Sequence, residues 1–242
     1  MRIIENILKK VVLHEAVVLE KEFLSSTVIK IRLQSDDFSK VNIIPGAFLR
    51  LGIGIGQDQL SMKDKIRSYS IWDYQPSETT VDLAIATHSN GIGAKWAREC
   101  QTGDIVYFKV KKGNFLAEDT ADSYLMVGDL SALSHLYMLN RNIGKNKQVA
   151  SIVYSQQKSE LFPDIDGSTP LNFYELRQNP SLEIIAKIKE ITPTFKSNKM
   201  VYIAGDSRVC MTLHTYFRKE LGWETKQLKT KPFWNPIKKG LE

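Results

Sequence analysis

The segment Lys65-Ile66-Arg67-Ser68-Tyr69-Ser70-Ile71 decides how the rest of this chain is interpreted. Its composition predicts a short β-strand, in which alternate side chains point to the same face. Arg67 and Tyr69 would then lie together, while the backbone of Ser70 stays beside them. A guanidinium, an aromatic ring and a hydroxyl can bind a phosphate, stack on a planar ring and donate a hydrogen bond. A flavin nucleotide needs all three, so the segment is a candidate flavin-binding strand.

Length and composition limit the possible classes of protein. A chain of 242 residues with 43% hydrophobic residues can form one large domain or two compact ones. Residues 2, 5, 9 and 10 are charged, so a signal peptide is not predicted. The chain also lacks the long apolar run that a membrane-spanning helix requires. Cys100 and Cys210 match no disulfide or metal-binding spacing, so we expect a cytoplasmic protein.

The positive charge is concentrated near the C-terminus. Five lysines and two glutamates lie between Glu224 and Glu242, a net +3 out of +6 for the whole chain. A solvated basic tail and a surface that attracts a small anion both explain this pattern. Nucleic-acid binding is not indicated, because the basic residues are not interleaved with aromatic ones over an extended surface.

The first half of the chain predicts an antiparallel β-barrel. Apolar residues at helical spacing over residues 3–11 predict a lead-in helix. Short runs rich in β-branched and aromatic residues follow, separated by turn residues. These six predicted strands cover residues 16–19, 27–33, 47–51, 68–72, 81–87 and 105–110.

The stretch His88-Ser89-Asn90-Gly91-Ile92-Gly93-Ala94-Lys95-Trp96-Ala97 follows the fifth of these strands. It predicts a glycine-containing turn and a short helix. Backbone amides near Gly93 and Ala94 could surround a phosphate at the start of that helix. An ordinary connection between a strand and a helix explains the same pattern, and both interpretations stay open at this point.

The second half predicts a parallel α/β domain. A polar, acidic stretch at residues 117–122 marks the expected boundary, and strands over 123–128, 149–154, 170–174 and 200–204 alternate with helical patterns. Ligands of such sheets bind beyond the carboxyl ends of the strands. Gly128-Asp129 and Gly205-Asp206 are predicted to lie at that edge.

The whole arrangement resembles the ferredoxin-reductase-like flavoproteins, and within that superfamily it is most similar to the siderophore-interacting proteins, which are FAD-dependent ferric-siderophore reductases. The resemblance covers nearly the whole chain and depends on the order of five segments. These are Arg67-Ser68-Tyr69-Ser70, His88 with residues 91–97, Gly128-Asp129-Leu130-Ser131-Ala132-Leu133, Ala204-Gly205-Asp206 and Phe233-Trp234. The resemblance implies an FAD-binding barrel over residues 1–118 and an NAD(P)H-binding-like domain with a basic tail over 119–242.

The resemblance also assigns cofactor-binding residues. In the first domain they are Arg67, Ser68, Tyr69, Ser70, Asp82, His88, Gly91, Gly93, Ala94 and Trp96. In the nicotinamide domain they are Asp129, Ser131 and Ala132. Two departures stand out: Ile92 and Ala94 replace a proline and a hydroxyl residue that are frequent in relatives, and Asn235-Pro236 follows Trp234 where relatives often have arginine. Any phosphate contact at Ala94 must therefore come from the backbone.

The implied reaction is reduction of an anionic ferric siderophore, with release of Fe(II). Electrons would come from NADH, NADPH or ferredoxin through the flavin, and no protein nucleophile is needed. The candidate substrate-binding cations are Arg50, Lys229, Lys231, Lys238 and Lys239, although a solvated lysine surface explains each lysine equally well. Two alternatives remain: a general NAD(P)H-flavin or ferredoxin-type reductase, and a siderophore-binding flavoprotein without activity.

The remaining candidate residues are given structural roles. Three histidines, His14, His135 and His214, have no metal-binding spacing. The cysteines are interpreted as small buried hydrophobes, and Trp72 and Trp223 as core residues. Trp234 could either shield the flavin or anchor the C-terminus. We expect a monomer, and no clear cation pair near Lys158 separates NADPH from NADH.

Overall fold

A computed structural model describes residues 14–53 and 65–237 of the chain. It divides into two compact units, Met1–Gly113 and Asn114–Leu241. The residues after Gly113 belong to the second unit because Tyr202 donates a hydrogen bond to the Leu116 carbonyl and accepts one from the Glu118 amide, each at 3.0 Å. The helix predicted over residues 3–11, and Lys238 and Lys239, lie outside the described residues.

The first unit is built on a seven-stranded antiparallel sheet among the described residues, in the order β4-β3-β7-β1-β2-β6-β5. A short helix, α1 (Ile92–Glu99), follows β6. The strands are β1 (His14–Ser25), β2 (Val28–Gln34), β3 (Phe48–Gly52), β4 (Arg67–Ser70), β5 (Asp73–Gln75), β6 (Thr80–Ala86) and β7 (Ile105–Lys111). The predicted antiparallel strands are therefore confirmed, with β5 as an addition.

The sheet of the first unit curls until its two edges meet, although its ladder is that of an open sheet. Edge strands β4 and β5 are separated only by Ile71 and Trp72. The Ile71 amide donates to the Ala47 carbonyl (3.2 Å), and the Trp72 amide donates to the Asp82 carbonyl (2.8 Å). One continuous segment thus contacts β6 and the residue that precedes β3. The described strands thus form an open antiparallel sheet and not the closed barrel that the sequence predicted.

Alternation of apolar residues explains which face of this sheet forms the core. Along β2, Ile29, Ile31 and Leu33 are completely buried. In β7, Phe108 is buried against Phe38, with ring centroids 4.4 Å apart. Burial of each such side chain contributes about 1.5–3 kcal/mol, which makes this face the main stabilising feature of the unit.

The second unit contains a five-stranded parallel sheet among the described residues, in the order β10-β9-β8-β11-β12. Its strands are β8 (Ser123–Asp129), β9 (Gln148–Ser155), β10 (Phe173–Glu175), β11 (Lys199–Asp206) and β12 (Leu228–Trp234). Its helices are α2 (Leu133–Arg141), α3 (Ser181–Ile191) and α4 (Ser207–Thr215), with a π-helical turn at Tyr216–Glu220. The predicted parallel α/β arrangement is confirmed.

Strand β12 corrects the interpretation of the C-terminal region as a basic tail. Its lysines and Pro232 concealed the strand pattern, yet β12 pairs in parallel with β11 from Leu228 onward. Lysine and proline are typical of an edge strand, because they discourage pairing with another chain. Lys229 and Lys231 therefore occupy fixed positions at the edge of the sheet.

Packing of α2 on the central strand brings the candidate edge residues together. Every residue of β8 is buried, as expected for a parallel strand covered on both faces. A Cβ atom at Gly128 would lie 2.9 Å from both Ala132 Cβ and Leu136 Cδ1, so α2 approaches the β8 backbone closely.

Across the described ranges, no helix is long and apolar enough to cross a membrane.

Candidate functional site

Strand β4 and helix α1 meet at Tyr69 and Gly93 in the first unit. A Cβ atom at Gly93 would lie 1.9 Å from the Tyr69 hydroxyl and 3.7 Å from Arg67 Cγ. The rings of Tyr69 and Trp96 lie nearly parallel, with centroids 6.5 Å apart and an interplanar angle of 28°. The structure thus brings together four predicted cofactor residues from two segments separated in sequence.

Helix α1 begins without a side-chain cap. Its N-cap is Gly91, which has an extended backbone and contributes no side-chain hydrogen bond. The amides of a first helical turn have no partner within the helix, and the helix dipole favours an anion there. Gly93 and Ala94 are buried, so the side chain of Ala94 is not presented to solvent. Only backbone amides are available for a phosphate at this position, as the sequence suggested.

Ser68 of β4 lies beside a cation on the neighbouring strand. Ser68 is the cross-strand partner of Arg50 on β3, and Arg50 is in turn the partner of Lys109 on β7. Like charges directly opposite each other are destabilising unless something offsets them. The Nε atom of Arg50 is buried and has no hydrogen-bond partner in the part of the chain that the structure describes. This orphaned donor fits an anionic group bound next to β4.

Two predicted cofactor residues of the first unit, Asp82 and His88, have contacts or exposure that differ from those of the residues around Tyr69. Asp82 accepts hydrogen bonds from Arg32 Nε at 2.8 Å and from Arg32 Nη2 at 2.7 Å, in a pair that crosses from β2 to β6. The Asp82 carboxylate is only 2% exposed and therefore belongs to the sheet. His88 is exposed in the loop before α1. The residues that surround Tyr69 are consequently better candidates for flavin contact than Asp82.

Asp129 connects three strand ends at the carboxyl edge of the parallel sheet. Its carboxylate accepts hydrogen bonds from the Ser131 amide (2.9 Å), Ser131 Oγ (2.5 Å), the Asp206 amide (2.7 Å) and Trp234 Nε1 (2.8 Å). Burial raises the pKa of the Asp129 carboxyl above its ordinary value, while these hydrogen bonds oppose the shift. Trp234 is therefore anchored within the second unit, the second of the two roles expected for it.

Gly205 is required by the position of Asp129. Its φ of +115° lies in the region that favours glycine, and a Cβ atom there would lie 2.4 Å from Asp129 Oδ2. Both predicted glycine-aspartate pairs thus form one edge of the second unit. The bidentate pair between Asp206 and Arg208, which the sequence did not suggest, completes that edge.

The predicted substrate-binding cations are distributed over both units. Arg50 belongs to the first unit, and Lys229 and Lys231 belong to the second. Lys229 forms an ion pair with Glu118, so its charge is partly compensated. Lys231 is exposed near His135. Burial lowers the pKa of His135 to about 4, and the charge of Lys231 adds to that decrease.

Comparison with protein families gives two matches that lie in the two units. The siderophore-interacting FAD-binding domain matches residues 9–113, and the siderophore-interacting protein domain matches residues 121–236. Together they cover most of the chain. The chain belongs to the siderophore-interacting protein family. The first unit is accordingly an FAD-binding domain of that family.

Several solved structures share the fold of this chain. The siderophore-interacting protein SipS from Aeromonas hydrophila has 16% sequence identity and a TM-score of 0.78, covering 94% of this chain and 93% of its own. A siderophore utilization protein from T. fusca has 14% identity and a TM-score of 0.74, covering 95% of each chain. Phthalate dioxygenase reductase has 13% identity and a TM-score of 0.70, covering 93% of this chain and 68% of its own. No curated protein sequence matches the chain.

Proposed function

We propose that this protein reduces ferric siderophores, using FAD held by the first unit and electrons from NADH, NADPH or ferredoxin. Membership in the siderophore-interacting family supports the substrate class, and the ferredoxin-reductase-like fold supports an oxidoreductase. The observation that carries the proposal is the convergence of β4 on α1, where Tyr69 contacts Gly93 and Trp96. We expect a monomer that works in the cytoplasm.

The residues around Tyr69 fit a flavin dinucleotide. Arg67 supplies a cation beside the Tyr69 ring, and the uncapped start of α1 supplies backbone amides for phosphate oxygens. The orphaned Arg50 Nε supplies a further donor beside Ser68 of β4. An aromatic ring, cations and free amides are the groups that a ligand with a planar ring and a pyrophosphate requires.

FAD, when bound, supplies a carrier that accepts electrons as a pair and passes them singly to Fe(III). The side chains of this protein then have two tasks, to orient the flavin and to attract the substrate. Tyr69 and Trp96 would restrict the position of the flavin ring, and Arg67 would fix the phosphates. Fe(II) binds hard oxygen ligands more weakly than Fe(III) does, so reduction releases the metal without a protein acid or nucleophile.

The exposed cations of the second unit would attract an anionic iron complex. Lys231 is exposed at the sheet edge, and Lys229 is partly buried and contacts Glu118. At the carboxyl edge, Asp129, Ser131 and Ala132 would shape the site of the nicotinamide donor. Ser131 is the partly exposed member of the three, whereas Asp129 and Ala132 are buried and act through the backbone that they support.

An anaerobic reduction experiment tests the proposal. The protein is purified, reconstituted with FAD and mixed with NADH or NADPH while the flavin absorbance is followed. A ferric siderophore and an Fe(II) chelator are then added. We expect the flavin to be bleached by the donor and reoxidised by the substrate as the coloured Fe(II) complex forms. A colourless protein that cannot be reconstituted with FAD would refute the proposal.

Charge-neutral variants separate this function from its alternatives. The double variant K229M/K231M should raise KM for the ferric siderophore and leave flavin reduction by the donor unchanged. K226M is the matched control, because Lys226 is an exposed lysine whose described contact is an ion pair with Glu224. Unchanged turnover in the double variant would favour a general flavin reductase. A flavin that no donor reduces, in a protein that still binds the siderophore, would favour a binding protein without activity.

A further inference from the structure

Arg98 connects the last turn of α1 to the loop that precedes the same helix. Its guanidinium Nη1 donates hydrogen bonds to the Thr87 carbonyl at 2.7 Å and to the Ser89 carbonyl at 3.2 Å. Thr87 is itself held, since its amide (2.7 Å) and its hydroxyl (3.0 Å) both donate to the Thr27 carbonyl. The short loop over residues 88–91 is therefore held at its beginning by the turn between β1 and β2 and at its middle by α1.

Lys21 holds the other end of the helix. Its Nζ atom donates to the carbonyls of Arg98 (2.6 Å) and Cys100 (3.0 Å), at the C-terminus of α1. A cation at this end is favourable because the helix dipole places partial negative charge there. Both ends of the segment from Thr87 to Cys100 are thus tied to the sheet, which determines where the first-turn amides of α1 lie.

The partners of Arg98 distinguish it from an ordinary surface arginine. Within the described ranges, Arg98 forms no ion pair with a carboxylate, and its recorded side-chain partners are two neutral carbonyls. Within the described ranges, no ion pair therefore offsets the positive charge of Arg98. A charged donor also makes stronger hydrogen bonds to carbonyls than a neutral one does. The side chain both fixes the loop and leaves a positive potential beside it.

We propose that Arg98 is a positioning residue for the phosphates of FAD. By holding the carbonyls of Thr87 and Ser89, it sets the path of the loop into Gly91, and hence the direction of the first amides of α1. This inference rests on the proposed FAD site. In this proposal Arg98 contacts neither the flavin ring nor the amides that are predicted to bind phosphate. Its replacement should weaken binding of the phosphate-bearing half of FAD selectively.

Binding of FAD and of riboflavin by Arg98 variants tests the inference. Riboflavin carries the same ring but lacks the pyrophosphate and the adenosine, so the ratio of the two dissociation constants isolates the contribution of that half of FAD. In R98M we expect FAD binding to weaken roughly tenfold, the usual effect of losing one or two charge-assisted hydrogen bonds. Riboflavin binding should stay unchanged. R98K, which can still donate to one of the two carbonyls, should bind FAD with intermediate affinity.

K95M is the matched control. Lys95 lies on the same helix and its described contact is an exposed ion pair with Glu99 at 3.9 Å, so its removal changes the charge of α1 without touching the loop. Thermal unfolding of each variant checks that it folds. If R98M does not fold, FAD and riboflavin binding are compared in R98K instead.

The outcomes separate this inference from the function on which it rests. Equal weakening of FAD and riboflavin in R98M would assign Arg98 to general stability and overturn the inference. FAD binding in R98M that matches K95M would overturn it as well. If the wild-type protein binds no FAD, the proposed function fails and the inference fails with it, which the wild-type titration reveals before any variant is compared.

Discussion

Replacement of Gly93 by alanine tests the contact that defines the candidate flavin site. An alanine in the interior of a helix is ordinarily about 1 kcal/mol more favourable than a glycine. Here the added Cβ atom would lie 1.9 Å from the Tyr69 hydroxyl and 3.2 Å from Tyr69 Cζ. Helix propensity and packing therefore act in opposite directions, and the sign of the effect depends on which is larger.

The distances give the expected size of the effect. Ordinary van der Waals contact begins near 3.4 Å, so the Tyr69 hydroxyl must retreat from the new methyl group by about 1.5 Å. Overpacking of this kind costs about 1–3 kcal/mol, which outweighs the gain in helix propensity in most of that range. Moving the Tyr69 ring away from Trp96 also removes an aromatic contact of about 0.5–1.5 kcal/mol. We expect FAD binding to weaken between about twofold and tenfold.

Fluorescence titration with FAD and thermal unfolding measure both consequences. The control is G91A, in which the new Cβ atom would meet only Ser89 Oγ, at 3.4 Å. G91A should lose about 1 kcal/mol of stability, the usual cost of alanine at an N-cap, without a steric clash. A double variant, G93A/Y69F, removes the clashing hydroxyl and should recover stability relative to G93A. The reasoning is refuted if G93A is as stable as the wild type and binds FAD equally well, or if Y69F gives no recovery.

Three further predictions concern buried charged or titratable groups. D129N should lose about 1–3 kcal/mol of unfolding free energy in denaturant, because one amide oxygen cannot accept all the hydrogen bonds that the Asp129 carboxylate accepts. The indole N–H resonance of Trp234 should also shift, and an unmoved resonance would contradict the contact. D82N should cost about 3 kcal/mol by removing the buried carboxylate charge that Arg32 contacts, and D82L/R32M should be less destabilised. Equal losses in the two variants would argue against an ion-pair effect. His135 binds a proton in the unfolded state below pH 6.5 but in the folded state only near pH 4, so the free energy of unfolding should fall by about 3 kcal/mol across that interval. H135Q should lack that fall, and an identical pH dependence in both proteins would exclude His135 as its source.

The fold was largely predictable from local patterns. Short β-branched runs predicted the antiparallel sheet, and the later alternation of strands and helices predicted the parallel one. Strand β12 was missed because lysines and Pro232 on an edge strand resemble a solvated tail. The sequence also predicted a barrel, whereas the described strands of the first unit pair as an open sheet, because pairing between edge strands cannot be read from local patterns.

Prediction of the site depended on whether a residue acts locally. The motif on β4 and the glycine turn before α1 were recognisable because each occupies a few consecutive residues. The pairing of Asp82 was not recognisable in the sequence, because its partner Arg32 is 50 residues away. The same is true of Trp234 and Asp129, which are 105 residues apart. Nothing in the local sequence shows which distant donor a carboxylate will bind.

The amino-acid sequence by itself determined the two sheets, their order and the segments that carry the candidate flavin-binding residues, because periodicity and turn chemistry act over a few residues. Only the tertiary structure decided that the Tyr69 hydroxyl lies against Gly93, that Asp129 anchors Trp234 and that Arg98 holds the loop before its own helix. These contacts join residues that strand pairing and helix packing bring together. Their distances and burial, which set their energies, exist only once the chain is folded.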